Sequence, residues 1–174
     1  MKTYSIILSK TFPSTHVRAG EPTDFEDKFN NARKCANCRL GSKGTCKGLT
    51  WIFDLKLYTI RANYDLWAQR FKEIDSGEAV LSIRQWVGRQ RGKGSCQREI
   101  ARLTREDGIG LQRLDFVLGA LSTARIDGGK CWLFAPLYEL AHKDGLLLSD
   151  WLEWFKDYDL SKPMAIIHFT KFRY

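Results

Sequence analysis

Large apolar residues recur along the chain with two periods, and these predict its elements. Residues 4–8 form a short apolar run that reads as a first strand, and Thr11 to Asp24, with Pro13, Gly20 and Pro22, reads as a loop. From Asn30 to Lys47 there is almost no large apolar group, which predicts an exposed loop, and Leu49 to Phe53 resumes apolar character. Asn63 can cap a helix in which Tyr64, Trp67, Phe71 and Ile74 share one face, ended by Ser76-Gly77. Ala79, Leu81 and Ile83 then alternate with Val80, Ser82 and Arg84 as in a half-buried strand, and a second strand over Gln97 to Leu103 completes a long hairpin.

Further on, Thr104 is an N-cap for a short turn, and Leu111 to Leu118 reads as a strand. Asp127-Gly128-Gly129 joins Ala124–Ile126 to Cys131–Phe134 as a hairpin. Leu137, Leu140 and Ala141 mark a helix after Pro136. Ser149 is the natural N-cap of another helix, with Trp151, Leu152, Trp154 and Phe155 on its apolar stripe. Lys162-Pro163 stops it, and Met164 to Tyr174 alternates as a closing strand. The pattern predicts an α+β fold of about six strands and three helices, whose sequence-distant strands pair best by closing into a small mixed barrel.

Composition fits one folded domain: 174 residues, 44% hydrophobic and 28% charged. Within it, residues 1–48 read as an N-terminal arm with a Cys-containing loop, and 49–174 as the main unit. The longest uncharged stretch, Phe116 to Ala124, is far below the roughly 20 apolar residues of a membrane span. With no signal-peptide pattern at Met1, the expectation is a cytoplasmic protein that binds no membrane.

Charge adds a candidate partner. Twenty-eight Lys and Arg against 20 Asp and Glu leave +8, which favours polyanions and above all nucleic acid. The excess concentrates in Arg84, Arg89, Arg91, Lys93, Arg98, Arg102 and Arg105 against the single acid Glu99, so the hairpin reads as a phosphate-contacting surface, with Trp86 placed to stack a base; a solvated charged face is the alternative. Cys35, Cys38 and Cys46 include a CxxC spacing that can grip Zn²⁺, but the cluster lacks a fourth ligand. Free thiols are the expected state, and no cofactor is required. His16, His142 and His168 are scattered, and His168, between Ile167 and Phe169, reads as a satisfied core histidine.

One segment carries more. Lys56-Leu57-Tyr58-Thr59-Ile60-Arg61, then the Trp67 helix, then Ser76-Gly77-Glu78 leading into the Ala79 strand, resembles the ASCH domain family, a branch of the PUA-like β-barrels. Leu140-Ala141-His142-Lys143-Asp144-Gly145-Leu146, the following helix and the strand Ala165 to Phe169 extend the resemblance over residues 50–174. It implies a PUA-like barrel with a cleft that binds RNA or a nucleotide. At the Lys-x-x-Thr-Ile-Arg stretch it also implies the chemistry of the family's small amidohydrolase, which deacetylates N4-acetylcytidine with a Lys, a Thr three residues on and a downstream Glu.

Carried over, these roles fall on Lys56 as base, Thr59 as nucleophile and Asp144 as the orienting carboxylate, with Arg61 as a donor fork for a phosphate or base edge. Asp144 is one methylene shorter than the family's Glu. A spacing of three puts Lys56 and Thr59 on opposite faces of a regular strand, so a shared site demands a local irregularity. Three functions follow as expectations: an RNA- or nucleotide-binding module, an amidohydrolase of acylated nucleosides, and a protein-interaction domain.

Overall fold

The computed structural model describes residues 1–34, 55–88, 94–121, 123–128, 130–132 and 134–174. Among these, the strands are β1 (Lys2–Ile7), β2 (Tyr58–Arg61), β3 (Ala79–Val87), β4 (Cys96–Leu103), β5 (Gly110–Phe116), β6 (Ala124–Ile126), β7 (Lys130–Trp132) and β8 (Met164–His168). The α-helices are α1 (Phe25–Lys34), α2 (Tyr64–Asp75), α3 (Phe134–Lys143) and α4 (Leu148–Phe155). The α+β class stands.

The strands form two ladders. The first runs β1-β3-β4, with β1 parallel to β3 and a bulge in the β3–β4 hairpin between Ile83 and Arg84. The second runs β2-β8-β5-β6-β7, antiparallel throughout. No ladder joins them among the described residues, so the expected closed barrel is not formed by these strands. Side chains bridge the gap instead. Helix α2 packs on β3 of one sheet and on β5 and β8 of the other, burying Trp67, Phe71 and Ile74, while Arg61 Nη2 of β2 donates to the Ile7 carbonyl of β1 at 2.7 Å.

Local chemistry accounts for most boundaries. Asn63, in the left-handed region at φ 63°, accepts the Leu66 N–H and caps α2. Thr104 and Asp107 form a capping box on a short 3₁₀ turn, closed by Gly108 at φ 76°. Pro136 sits in the first turn of α3, where its missing N–H removes no helical bond.

Three expectations are corrected. Helix α4 begins at Leu148, two residues early, and its N-cap is Leu147 with no side-chain cap, so Ser149 lies inside the first turn. The last strand ends at His168 rather than running to Tyr174, because Arg173 turns the chain back by donating to the carbonyls of Thr170, Phe172 and Gly108. The third concerns residues 30–34, read as the start of a loop, which together with 25–29 of the N-terminal arm form α1. Phe25, Phe29 and Ala32, spaced four and three apart, are buried on one face although the rest of the helix is polar. The remainder of the predicted 30–47 loop lies outside the described residues.

Phe29 is fully buried and meets Phe169 edge-on at 5.1 Å. Phe29→Ala is expected to destabilise the protein by about 3–5 kcal/mol, read from urea unfolding; a loss under about 1 kcal/mol would contradict the core role given to α1.

Candidate functional site

The end of α3 sets the site. Leu146 N–H returns to the Ala141 carbonyl at 3.0 Å and Gly145 N–H to that of His142 at 2.9 Å, with Gly145 at φ 83°. This is the Schellman termination that Asp-Gly after a helix encodes. It makes Asp144 the last residue before the reversal. A Cβ at position 145 would be strained by the backbone and would meet Lys56 Cβ at 3.3 Å and the Leu55 carbonyl at 3.4 Å.

Lys56 approaches from the other side. Residues 55–57 are not in a ladder: Lys56 N–H donates to the Lys28 carbonyl, Leu57 N–H to that of Lys143, and Phe169 N–H to that of Leu57. Regular pairing begins at Tyr58, and Thr59 faces Ile167 across the ladder. The irregularity that a shared site requires is therefore present. Lys56, Thr59, Arg61 and Asp144 line one cavity with Leu8, Ser9, Phe25, Ile60, Leu146, Trp154 and Phe155.

The polar groups are deeply buried, with Lys56 1%, Thr59 4% and Asp144 4% exposed. Lys56 Nζ donates to Asp144 Oδ1 and to the Asp144 carbonyl, both at 2.5 Å, and lies 4.0 Å from the centre of the Phe25 ring. The shorter carboxylate therefore reaches its lysine. Two cations dock on the carbonyl end of α3, since Lys28 Nζ also donates to the Gly145 carbonyl at 2.9 Å; the helix dipole favours both.

Burial governs the titration of the pair. Loss of solvation lowers Lys56 to about 8 against the pull of Asp144 in the other direction, and the positive charges of Arg61 and Lys28 lower it further. Asp144 is raised by the same desolvation, partly offset by Lys56 and Arg61. Trp151 also favours the charged carboxylate, although its Nε1 reaches no acceptor at hydrogen-bond geometry. Both groups are thus displaced toward neutrality, the lysine into the range where an amine can accept a proton near physiological pH.

The cavity itself is small, about 10 Å³, room for a single water. The expected cleft sized for a nucleobase is not open in this conformation, where Phe25, Trp154 and Phe155 line the same small cavity as the polar groups.

The remaining predicted residues fall elsewhere. Arg84 and Trp86 lie on β3, half-buried and away from the cavity lining. The described cations of the basic segment all have internal partners: Arg98 pairs with Glu26 at 2.6 Å, Arg102 with Glu99, Arg105 donates to the Asp75 carbonyl and Arg84 to that of Gln97. Arg89, Arg91 and Lys93 lie outside the described residues, as do Cys35, Cys38 and Cys46. No cluster of three or more His, Cys, Asp and Glu side chains gathers among the described residues, and no helix there is long and apolar enough to cross a membrane.

His168 is fully buried among the rings of Tyr58, Phe172 and Tyr174, but neither of its ring nitrogens has a hydrogen-bond partner, contrary to expectation; desolvation holds it neutral, well below its usual range. Beside it, Tyr58 Oη donates to the Leu140 carbonyl at 2.7 Å and meets Tyr174 Oη at 2.6 Å, tying β2 to the helix that delivers Asp144. Sequence reading missed Phe25 and Lys28, whose only signal was the Phe25–Phe29–Ala32 spacing of α1.

Comparison of the chain with family models, curated proteins and solved structures finds no match.

Removing one member of a buried pair strands the other. Lys56→Met is expected to cost about 3–5 kcal/mol, whereas Lys56→Met with Asp144→Leu regains most of that loss; a double variant no more stable than the single one would contradict the buried pairing. The sign of the pH dependence follows from the lowered lysine. Its cost to the folded state is fully present below about pH 8 and is relieved as pH rises toward its ordinary value of 10.5. The stability of the unaltered protein relative to the double variant is therefore expected to rise from pH 8 to pH 10 in denaturant titrations, and a flat or falling difference would count against the assignment.

Proposed function

We propose that this protein is an ASCH-type, PUA-like module that binds a nucleoside unit of RNA or a nucleotide at the Lys56–Thr59–Arg61–Asp144 site. The observation that carries the reading is the convergence on one cavity of four polar residues from the Lys-x-x-Thr-Ile-Arg stretch and the α3 turn. Planar aromatic walls suit a base, while Lys56, Lys28 and Arg61 outnumber the single carboxylate and favour ligands rich in carbonyl or phosphate oxygens. The internal pairing of the described hairpin arginines moves the weight of the reading from the β3–β4 surface to this site.

A second reading, hydrolysis of an exocyclic amide on the bound base, is favoured by the lowered Lys56 beside Thr59. With its pKa near 8, about a tenth of the lysine is neutral at pH 7 and able to take the Thr59 hydroxyl proton. The Thr59 oxygen adds to the acyl carbon, the C–N bond breaks, and the leaving amine takes the proton back from Lys56. Water, deprotonated by the same lysine, then cleaves the acyl-threonine ester and restores the hydroxyl. Asp144 orients Lys56 throughout.

The test is incubation of the pure protein with N4-acetylcytidine, following loss of the acyl chromophore. Turnover is expected to rise with pH through about 8 and to fall by about a hundredfold or more in Lys56→Ala and Thr59→Val. Saturable binding of cytidine or N4-acetylcytidine without turnover would leave the binding reading alone, and neither binding nor turnover would overturn both.

A further inference from the structure

A site with room for one water cannot hold a base unless a wall moves, and the structure identifies which wall. Segment 10–24 leaves the cavity at Ser9 and returns at Phe25, both lining residues. Its ends are clasped together: Thr23 Oγ1 donates to the Ser9 carbonyl at 2.6 Å, Thr23 N–H to that of Lys10 at 3.1 Å, and Thr11 bridges Pro22. Such a loop of 15 residues with its ends held together has the form of a compact Ω-loop. Asp24, the last residue of the loop, sits at φ 56°, a left-handed turn conformation that Asp adopts more readily than most non-glycine residues.

The body of the loop is docked on α4, the helix that supplies Trp154 and Phe155 to the cavity. Phe12 stacks on His16 at 4.4 Å, and both rings lie against Trp154, at 5.8 and 6.2 Å. His16 Nδ1 accepts the Arg18 N–H at 3.0 Å, which makes Nε2 the protonated nitrogen, donating to the Asp150 carbonyl at 3.1 Å. Arg18 Nη1 meets Asp150 Oδ2 at 2.6 Å, and its Nε meets Glu21 at 2.7 Å. The Asp150 side chain is 7% exposed and that of Arg18 39%, so the contact is sealed on the helix side and open to water on the loop side. Trp154 therefore walls the cavity while Phe12 and His16 hold it in place.

We propose that residues 10–24 form a lid over the Lys56 site, latched to α4 through Asp150, and that it lifts as a unit to release Trp154 and admit the ligand. The proposal rests on the reading of Lys56 as the floor of a ligand site. Its test is independent of any nucleoside, because the buried Lys56 amine reports opening directly. The full-length protein is acylated with a small amine-specific reagent at pH 8.5, and the rate at each lysine is mapped by mass spectrometry. In parallel, hydrogen exchange is followed for the amides of 12–21 and of β8.

In Arg18→Ala and in Asp150→Asn, Lys56 acylation and exchange in 12–21 are each expected to rise about fivefold, while exposed Lys171 and the β8 amides keep their rates. Faster loop exchange with unchanged Lys56 acylation would overturn the lid, and unchanged loop exchange would overturn the latch. If a variant loses β8 protection as well, the unaltered protein decides: raising the salt concentration weakens the half-exposed ion pair and is expected to speed Lys56 acylation, and no change with salt overturns the proposal. Gated Lys56 acylation without nucleoside binding would sink only the functional reading, and nucleoside binding with ungated acylation only the lid.

Discussion

The structure turns on a lysine and an aspartate held out of water. Desolvation of two unit charges opposes folding by several kcal/mol for each, and their attraction offsets it only with short contacts and satisfied donors. The Lys56 ammonium is met by Asp144 Oδ1, the Asp144 carbonyl and the face of Phe25. Those partners come from the α3 termination and the start of α1, two elements far apart in sequence. The left-handed Gly145 lets the chain reverse without a side chain where Lys56 passes, and Lys28 fastens the same turn from α1. The buried pair thus fixes the packing of α1, β2 and α3 together.

This arrangement also bears on chemistry. An ion pair retained only for stability would be served as well by two apolar residues, as buried pairs in general often are. Here the pair lies on the floor of a cavity beside Thr59 and Arg61, its lysine lowered by burial and by two neighbouring cations. A proton acceptor near neutral pH is what such a lysine provides, and the closed aromatic wall keeps water from solvating it.

Legibility in the sequence followed the range of the interaction. Local codes were readable: the Asn63 cap, the Thr104 N-cap and the Asp127-Gly128 turn stand where their residue types place them. The Ala79 strand forms as β3, although Val80 and Ser82 are buried too, so it is not the half-buried strand its alternation suggested. The Lys56–Thr59–Asp144 grouping was readable only through resemblance, since nothing local brings positions 56 and 144 together. Helix α1 was missed because three apolar residues in ten carry its buried face. A local count of the hairpin's charge saw Glu99 but could not see Glu26 and the Asp75 carbonyl, which arrive from α1 and α2 to meet Arg98 and Arg105. Ser149 does not cap α4, whose first turn instead offers Asp150 to Arg18. Barrel closure was inferred from strands lacking local partners, and the described strands resolve that need with two ladders joined through side chains.

The most direct measurement is the titration of Lys56 itself, by NMR of the protein carrying isotope-labelled lysine side chains, with Lys56→Arg assigning the resonance. Lys56 is expected to titrate near pH 8, well below the ~10.4 of a lysine side chain free in water. A Lys56 resonance that titrates with the exposed lysines would contradict it, because a lysine charged to that pH is neither desolvated nor available as a base.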